Sequence, residues 1–164
     1  MPDIILLPEI PYDLDKILEA INRRTKAGKQ FTIIAVAEGA ISKEDAKLSK
    51  KEYKKKLAKR KFPSIAYELA EQIQEKTDQE VRITIPGHMQ RGGSPCPYDR
   101  VLSTRLGAAA AELIINKDYG YMIAMVDGDT KRVPLQDVAG KLKTVEPDCQ
   151  MIKEAKRIGI SFGD

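Results

Sequence analysis

Residues Val81 to Arg100 read V-R-I-T-I-P-G-H-M-Q-R-G-G-S-P-C-P-Y-D-R. Val81 to Ile85 alternates apolar and polar side chains in a β-branched run, which predicts a strand. From Pro97 onward the spacing turns helical. Tyr98, Val101, Leu102, Leu106, Ala109, Leu113 and Ile114 make a wide apolar stripe. Between strand and helix lie Pro86, Gly87, Gly92 and Gly93, where glycine lets the backbone take positive φ and come close to a ligand. Into that turn the chain places its only histidine, His88, and Arg91. A strand, a glycine-rich turn and a helix form the repeating unit of α/β folds. The same unit suits a phosphorylated ligand. Backbone N–H groups and the helix N-terminus supply positive potential, and a guanidinium grips an oxyanion bidentately.

The rest of the chain extends the same alternation. Ile4 to Leu7 is a short apolar run ending at Pro8, the pattern of a buried parallel strand. Such a strand so close to Met1 suggests a piece of a longer protein. Asp13 is an N-cap for a helix with Leu14, Ile17, Leu18 and Ile21 on one face, stopping near Gly28. Phe31 to Ala37 reads as the next strand and runs into Glu38-Gly39. A lysine-rich stretch with helical character follows. Pro63-Ser64 opens a helix with Ile65, Leu69 and Ile73 aligned. Tyr121 to Val126 and Lys131 to Leu135 form a hairpin around Asp127-Gly128-Asp129. Asp148 to Ile158 is the last helix. This order predicts an α/β fold, three-layer α/β/α with a mostly parallel sheet. It fits a single domain over 1–164, with 41–62 as a lysine-rich insert.

Composition narrows the function. At 164 residues, 42% hydrophobic and 32% charged, the chain can bury one core and resembles a globular protein. No apolar run approaches the roughly 20 residues of a membrane span. Two cysteines, Cys96 and Cys149, form no disulfide framework, so a cytoplasmic setting is expected. One histidine and two distant cysteines make no metal ligand set. Cys96 reads as a small packing residue, since no second histidine is present to activate it. Between Ile41 and Phe62 ten Lys/Arg face three carboxylates. That segment carries +7 of a total of +4, leaving −3 for the remainder. The run holds one aromatic before its end, Tyr53, and reads as a solvated helical insert rather than a nucleic-acid surface.

Ligands of open α/β sheets bind beyond the carboxyl ends of the strands. Two predicted strands deliver polar groups there. One brings Glu38, whose carboxylate can accept hydrogen bonds from sugar hydroxyls. The other brings His88, Gln90 and Arg91, which can face an anionic end. Each residue has a plainer reading, as a strand terminus, a surface cation or a loop histidine. Arg82 begins the strand that ends before His88, about 20 Å away at 3.3 Å per residue. That spacing suits an edge-strand ion pair, or entry into a neighbouring subunit's site.

G-H-M-Q-R-G-G-S-P-C-P-Y-D-R (Gly87 to Arg100) with S-T-R-L-G-A (Ser103 to Ala108) resembles the C-terminal half of the 6-phosphofructokinase family. L-P-E-I-P-Y-D-L (Leu7 to Leu14), Gly28-Lys29 and V-A-E-G-A (Val36 to Ala40) are similar to the same family in the same order. The lysine-rich insert and the ending G-I-S-F-G-D look like the branch with pyrophosphate-dependent members. The resemblance implies a Rossmann-like half that binds fructose 6-phosphate for phosphoryl transfer to its 1-hydroxyl, a step of glycolysis. Glu38 would bind sugar hydroxyls, and His88, Met89, Gln90 and Arg91 would line the sugar-phosphate pocket. Arg82 matches the family arginine that reaches the 6-phosphate in an adjacent subunit, which implies a homo-oligomer. Asp3 and Lys29 match places near the family's effector site. The family's donor loop, its G-G-D-x-S-type motif and its T-I-D-x-D segment are absent. No catalytic residue is therefore expected in this chain. Mg²⁺ with ATP or pyrophosphate would belong to the intact enzyme, with none bound here. The apolar stripe of Leu102, Leu106 and Leu113 on the long helix would be partly exposed or covered by another copy. The other readings left open are a non-catalytic module binding a sugar phosphate or another anion, and a basic nucleic-acid-binding domain.

Overall fold

A computed structural model describes residues 1–164. The chain divides into two compact units, residues 1–84 with 144–164, and residues 85–143. The first is organised around β1 (Ile4–Leu6), which lies parallel to β2 (Ile34–Val36) with Ile4 opposite Ile34 and Leu6 opposite Val36. On its other side β1 forms a parallel bridge with Ser161. Ile5 N–H donates to the Ser161 carbonyl at 2.9 Å, and Ser161 N–H donates to Asp3 at 3.1 Å. The end of the chain is thus tied into the sheet beside its beginning.

Alternation along β1 builds two layers of core. Ile4 and Leu6 face α1 (Leu14–Lys26) and α3 (Ile65–Lys76), through Ile17, Ala20, Ile21, Ile65, Leu69 and Ile73. Ile5 and Leu7 pack on the opposite side, with Ile10, Ile160, Phe162 and Ile152 of α6 (Gln150–Arg157). Helices on both faces of a parallel sheet give the three-layer α/β/α arrangement that the run Ile4 to Leu7 encodes, because a strand apolar on both faces needs cover on both. Full burial of Ile4, Leu6 and Ile17 contributes about 1.5–3 kcal/mol each. Asp13 caps α1 as expected, its carboxylate accepting from Asp15 N–H at 3.0 Å.

The lysine-rich stretch forms α2 (Lys50–Ala58), opened by a capping box between Ser49 and Glu52. None of its residues is buried, as a solvated helix requires.

The expected strand Val81 to Ile85 is a correction: these residues form no ladder. Val81 packs against the first core, whereas Ile85 is 57% exposed. Alternation makes a segment able to pair, but only a partner edge makes it a strand.

In the second unit, α4 (Pro97–Ile115) precedes a hairpin of β3 (Tyr121–Val126) and β4 (Asp129–Pro134), followed by the short α5 (Leu135–Val138). Asp127 (φ 54°) and Gly128 (φ 85°) make the two-residue turn, with positive φ at both positions as a type I′ hairpin demands. Arg105 of α4 donates to the Gly128 carbonyl at 2.7 Å and so clamps the turn onto the helix. No residue of α4 is buried, and Leu102, Leu106 and Leu113 are partly exposed.

Candidate functional site

At the carboxyl end of β2 the chain reverses sharply. Ala37 N–H still donates to Leu6 at 3.0 Å, and Ala40 N–H then turns back to the Ala37 carbonyl at 2.9 Å. Glu38 sits at the tip of this turn, exposed, with no hydrogen bond to its carboxylate. Gly39 is needed for closeness: a Cβ there would come within 3.1 Å of Pro8 Cγ, just beyond β1. The turn therefore lies over the ends of two parallel strands, where such sheets bind ligands. Arg82 belongs to the same unit. It is exposed and its Nε meets Glu80 at 2.9 Å, the ion pair that its position allows. The Asp3 carboxylate is engaged internally, by Arg24 at 2.8 Å and by Ile33 N–H at 2.8 Å.

In the second unit, Gly87–Arg91 winds into a single 3-10 turn. Met89 N–H donates to Pro86 at 3.0 Å and Gly92 N–H to Met89 at 3.3 Å. His88, Met89, Gln90 and Arg91 thus occupy one element, all exposed, with Met89 at 83%. None of these side chains spends a hydrogen bond within the protein, so the imidazole, amide and guanidinium are available to a ligand. Gly87 (φ 49°) and Gly93 (φ 93°) do adopt positive φ, whereas Gly92 is extended at φ −91°.

Two residues that fix the segment between this turn and α4 were not singled out from the sequence. Asp99 accepts from Cys96 N–H at 3.0 Å, and Arg100 donates to the Pro95 carbonyl at 3.2 Å and Ser94 Oγ at 3.4 Å. Together they anchor Ser94 to Cys96 onto the first turn of α4. Hydrogen bonds from the Cys96 side chain, then its backbone, hold the Asp99 carboxyl below the usual carboxylate range. The capping spacing, a cap residue three before Asp99 with Pro97 at the first helical position, was the available signal. Cys96, expected as a small packing residue, is exposed and stands at the N-cap of α4. Nowhere do three His, Cys, Asp or Glu side chains cluster to hold a metal ion.

A glycine-rich 3-10 turn leading into a proline-started helix, together with an acid at a parallel strand end, is the constellation on which the family resemblance rests. The phosphofructokinase family model matches residues 1–114. The chain belongs to the phosphofructokinase family. It is 52% identical over 162 residues to the ATP-dependent 6-phosphofructokinase of Spirochaeta thermophila, covering 99% of this chain and 44% of that protein. It is 40% identical over 162 residues to the ATP-dependent 6-phosphofructokinase of Chloroflexus aurantiacus, again 99% of this chain and 44% of the relative. The chain thus spans under half the length of these phosphofructokinases. Among solved structures, a pyrophosphate-dependent phosphofructokinase from Marinobacter aquaeolei shares the fold, with a TM-score of 0.67 over 98% of this chain and 41% of that one, at 18% identity. No helix is long and apolar enough to cross a membrane.

Proposed function

We propose that this chain is the fructose 6-phosphate-binding, C-terminal half of a 6-phosphofructokinase, the whole of which transfers a phosphoryl group to the sugar's 1-hydroxyl. The 52% identity to the Spirochaeta thermophila enzyme across 99% of the chain carries this reading. In it, Glu38 accepts hydrogen bonds from sugar hydroxyls. His88 and Arg91 meet the phosphate, where the guanidinium supplies charge-assisted, bidentate bonds. Met89 and Gln90 line the same pocket. Arg82 breaks its exposed pair with Glu80 at little cost and reaches the 6-phosphate in a neighbouring subunit. The protein then acts as a homo-oligomer in the cytoplasm, without nucleic acid or membrane as partner. Residues 1–164 function as one sugar-phosphate-binding half, with 41–62 as an insert.

The donor and its Mg²⁺ belong to the remainder of the enzyme, because the family's donor loop, its G-G-D-x-S-type motif and its T-I-D-x-D segment are absent from this sequence. The ATP-dependent relatives favour ATP over pyrophosphate as the donor. The test is calorimetry with fructose 6-phosphate on the 164-residue chain, wild type against Arg91→Ala, beside turnover assays with ATP and with pyrophosphate. Saturable binding lost in the variant, and turnover at blank level, are expected. Turnover well above blank in a pure sample would refute the division of labour. Equal binding by both proteins would refute the role of Arg91.

A further inference from the structure

The lysine-rich insert does more than present charge to solvent. Between α2, the 3-10 turn Asp45–Lys47 and α3 it lines an open pocket of about 300 Å³. That volume is at the small end of the range for small-molecule sites. Its lining has two kinds of surface. Tyr53, Leu57 and Phe62 supply an apolar wall with two aromatic faces, and Tyr53 and Phe62 are half-buried. Lys59, Arg60 and Lys61 stand beside them, in sequence with Phe62.

Two carboxylates also line the pocket, and both are already neutralised. Lys56 holds Asp45 at 2.6 Å, and Arg60 Nε holds Glu68 at 3.1 Å. The remaining charge is positive. Lys59 makes no ion pair. Arg60, only 20% exposed, engages Glu68 through Nε and keeps the outer edge of its guanidinium free of protein hydrogen bonds. Lys61 lies over the Phe62 ring at 5.1 Å from its centroid and reaches Glu71 at 3.4 Å, an exposed pair that is cheap to exchange. An apolar cleft with aromatic faces and a cationic triplet at one side matches a ligand with a planar ring at one end and a phosphate at the other. The ring stacks on Tyr53 or Phe62, and the phosphate takes charge-assisted bonds from Lys59, Arg60 and Lys61.

We propose that this pocket binds a nucleoside monophosphate, at a site formed wholly within residues 45–68 and sharing no residue with the His88–Arg91 turn. A nucleic-acid strand is disfavoured, because a pocket of about 300 Å³ with two aromatic side chains takes one base rather than a track of them.

The test is an amide-resolved NMR titration of the 164-residue chain with AMP, paired with calorimetry. Adenosine, inorganic phosphate and a single-stranded oligonucleotide serve as the other arms. Expected are saturable shifts at Tyr53, Leu57 and Phe62. Affinity should fall at least about tenfold in Lys59→Gln/Lys61→Gln, whose side chains are exposed and not part of the core. Tyr53→Leu, which keeps the apolar contact without the ring, should weaken AMP severalfold and leave phosphate unchanged. Adenosine and phosphate should each bind more weakly than AMP. The proposal is overturned by absence of saturation, by shifts centred on Gly87–Arg91, by AMP affinity unchanged in the double variant, or by tighter binding of the oligonucleotide than of AMP.

Discussion

Gly163 presses against Tyr12: a Cβ placed on Gly163 would stand 2.9 Å from the Tyr12 Cβ and 3.1 Å from Leu6 Cδ2. Gly163 also has φ +74°, and its carbonyl accepts from Asp13 N–H at 2.7 Å, just before α1. Three demands coincide at this residue: a left-handed backbone, no side chain, and a hydrogen bond to the start of a helix. Left-handed backbone costs an ordinary residue about 1–2 kcal/mol, and overpacking about 1–3 more. Gly163→Ala should therefore destabilise the chain by about 2–5 kcal/mol in urea unfolding. A loss below about 1 kcal/mol would mean the chain end is not packed as described.

Tyr12 itself should set an alkaline limit. It is 3% exposed, and burial, reinforced by Glu68 and Asp45, pushes its hydroxyl up to about 12 from an ordinary 10.0. The unfolded chain releases this proton first. Stability from the neutral phenol is therefore complete below pH 10 and is lost as pH rises through 12. The span corresponds to about 2–3 kcal/mol. Tyr12→Phe should match wild type near pH 7 and lose less stability between pH 10 and 12. Parallel curves for the two proteins over that window would rule the phenol out.

The second unit should be the softer one. None of residues 85–143 is buried, and α4 leaves Val101, Ile114 and Ile115 exposed. Such a surface is open to a covering partner. In the isolated chain, amides of β1 and β2 should exchange at least about 100-fold more slowly than those of α4 and the hairpin, since local opening follows burial. Equal protection of both sets would show that α4 is covered in the isolated chain.

How far the sequence could be read depended on whether each signal was local. Asp13, Ile17 and Ile21 give α1, and Asp127-Gly128 gives the hairpin, because caps and primed turns are fixed by adjacent residues. The apolar run Ile4 to Leu7 gave a strand covered on both faces for the same reason. Val81 to Ile85 has equally good alternation and forms no ladder, since pairing depends on an edge elsewhere. The bridge of Ser161 to Ile4 was hidden for the converse reason: one residue, 157 positions away, carries no pattern. At the candidate site, glycine spacing exposed the His88 to Arg91 turn. Asp99 and Arg100 fix Ser94 to Cys96 through bonds only three to six residues long, a local signal that the spacing of Cys96, Pro97 and Asp99 offered.

Arg82 and Arg91 should belong to different subunits' contributions to one phosphate. Both are exposed, and neither substitution to alanine removes a core contact, so the fold should survive each. Losing charge-assisted bonds to a phosphate costs about 1.5–3 kcal/mol, so each single variant of the full-length enzyme should bind fructose 6-phosphate at least about tenfold more weakly. Mixing separates the two roles. In a two-fold assembly, a hybrid of Arg82→Ala and Arg91→Ala subunits has one site with both defects and one with neither. Random co-assembly should then restore roughly one quarter of wild-type activity. If Arg82 served its own subunit, every hybrid site would keep one defect and mixing would restore nothing.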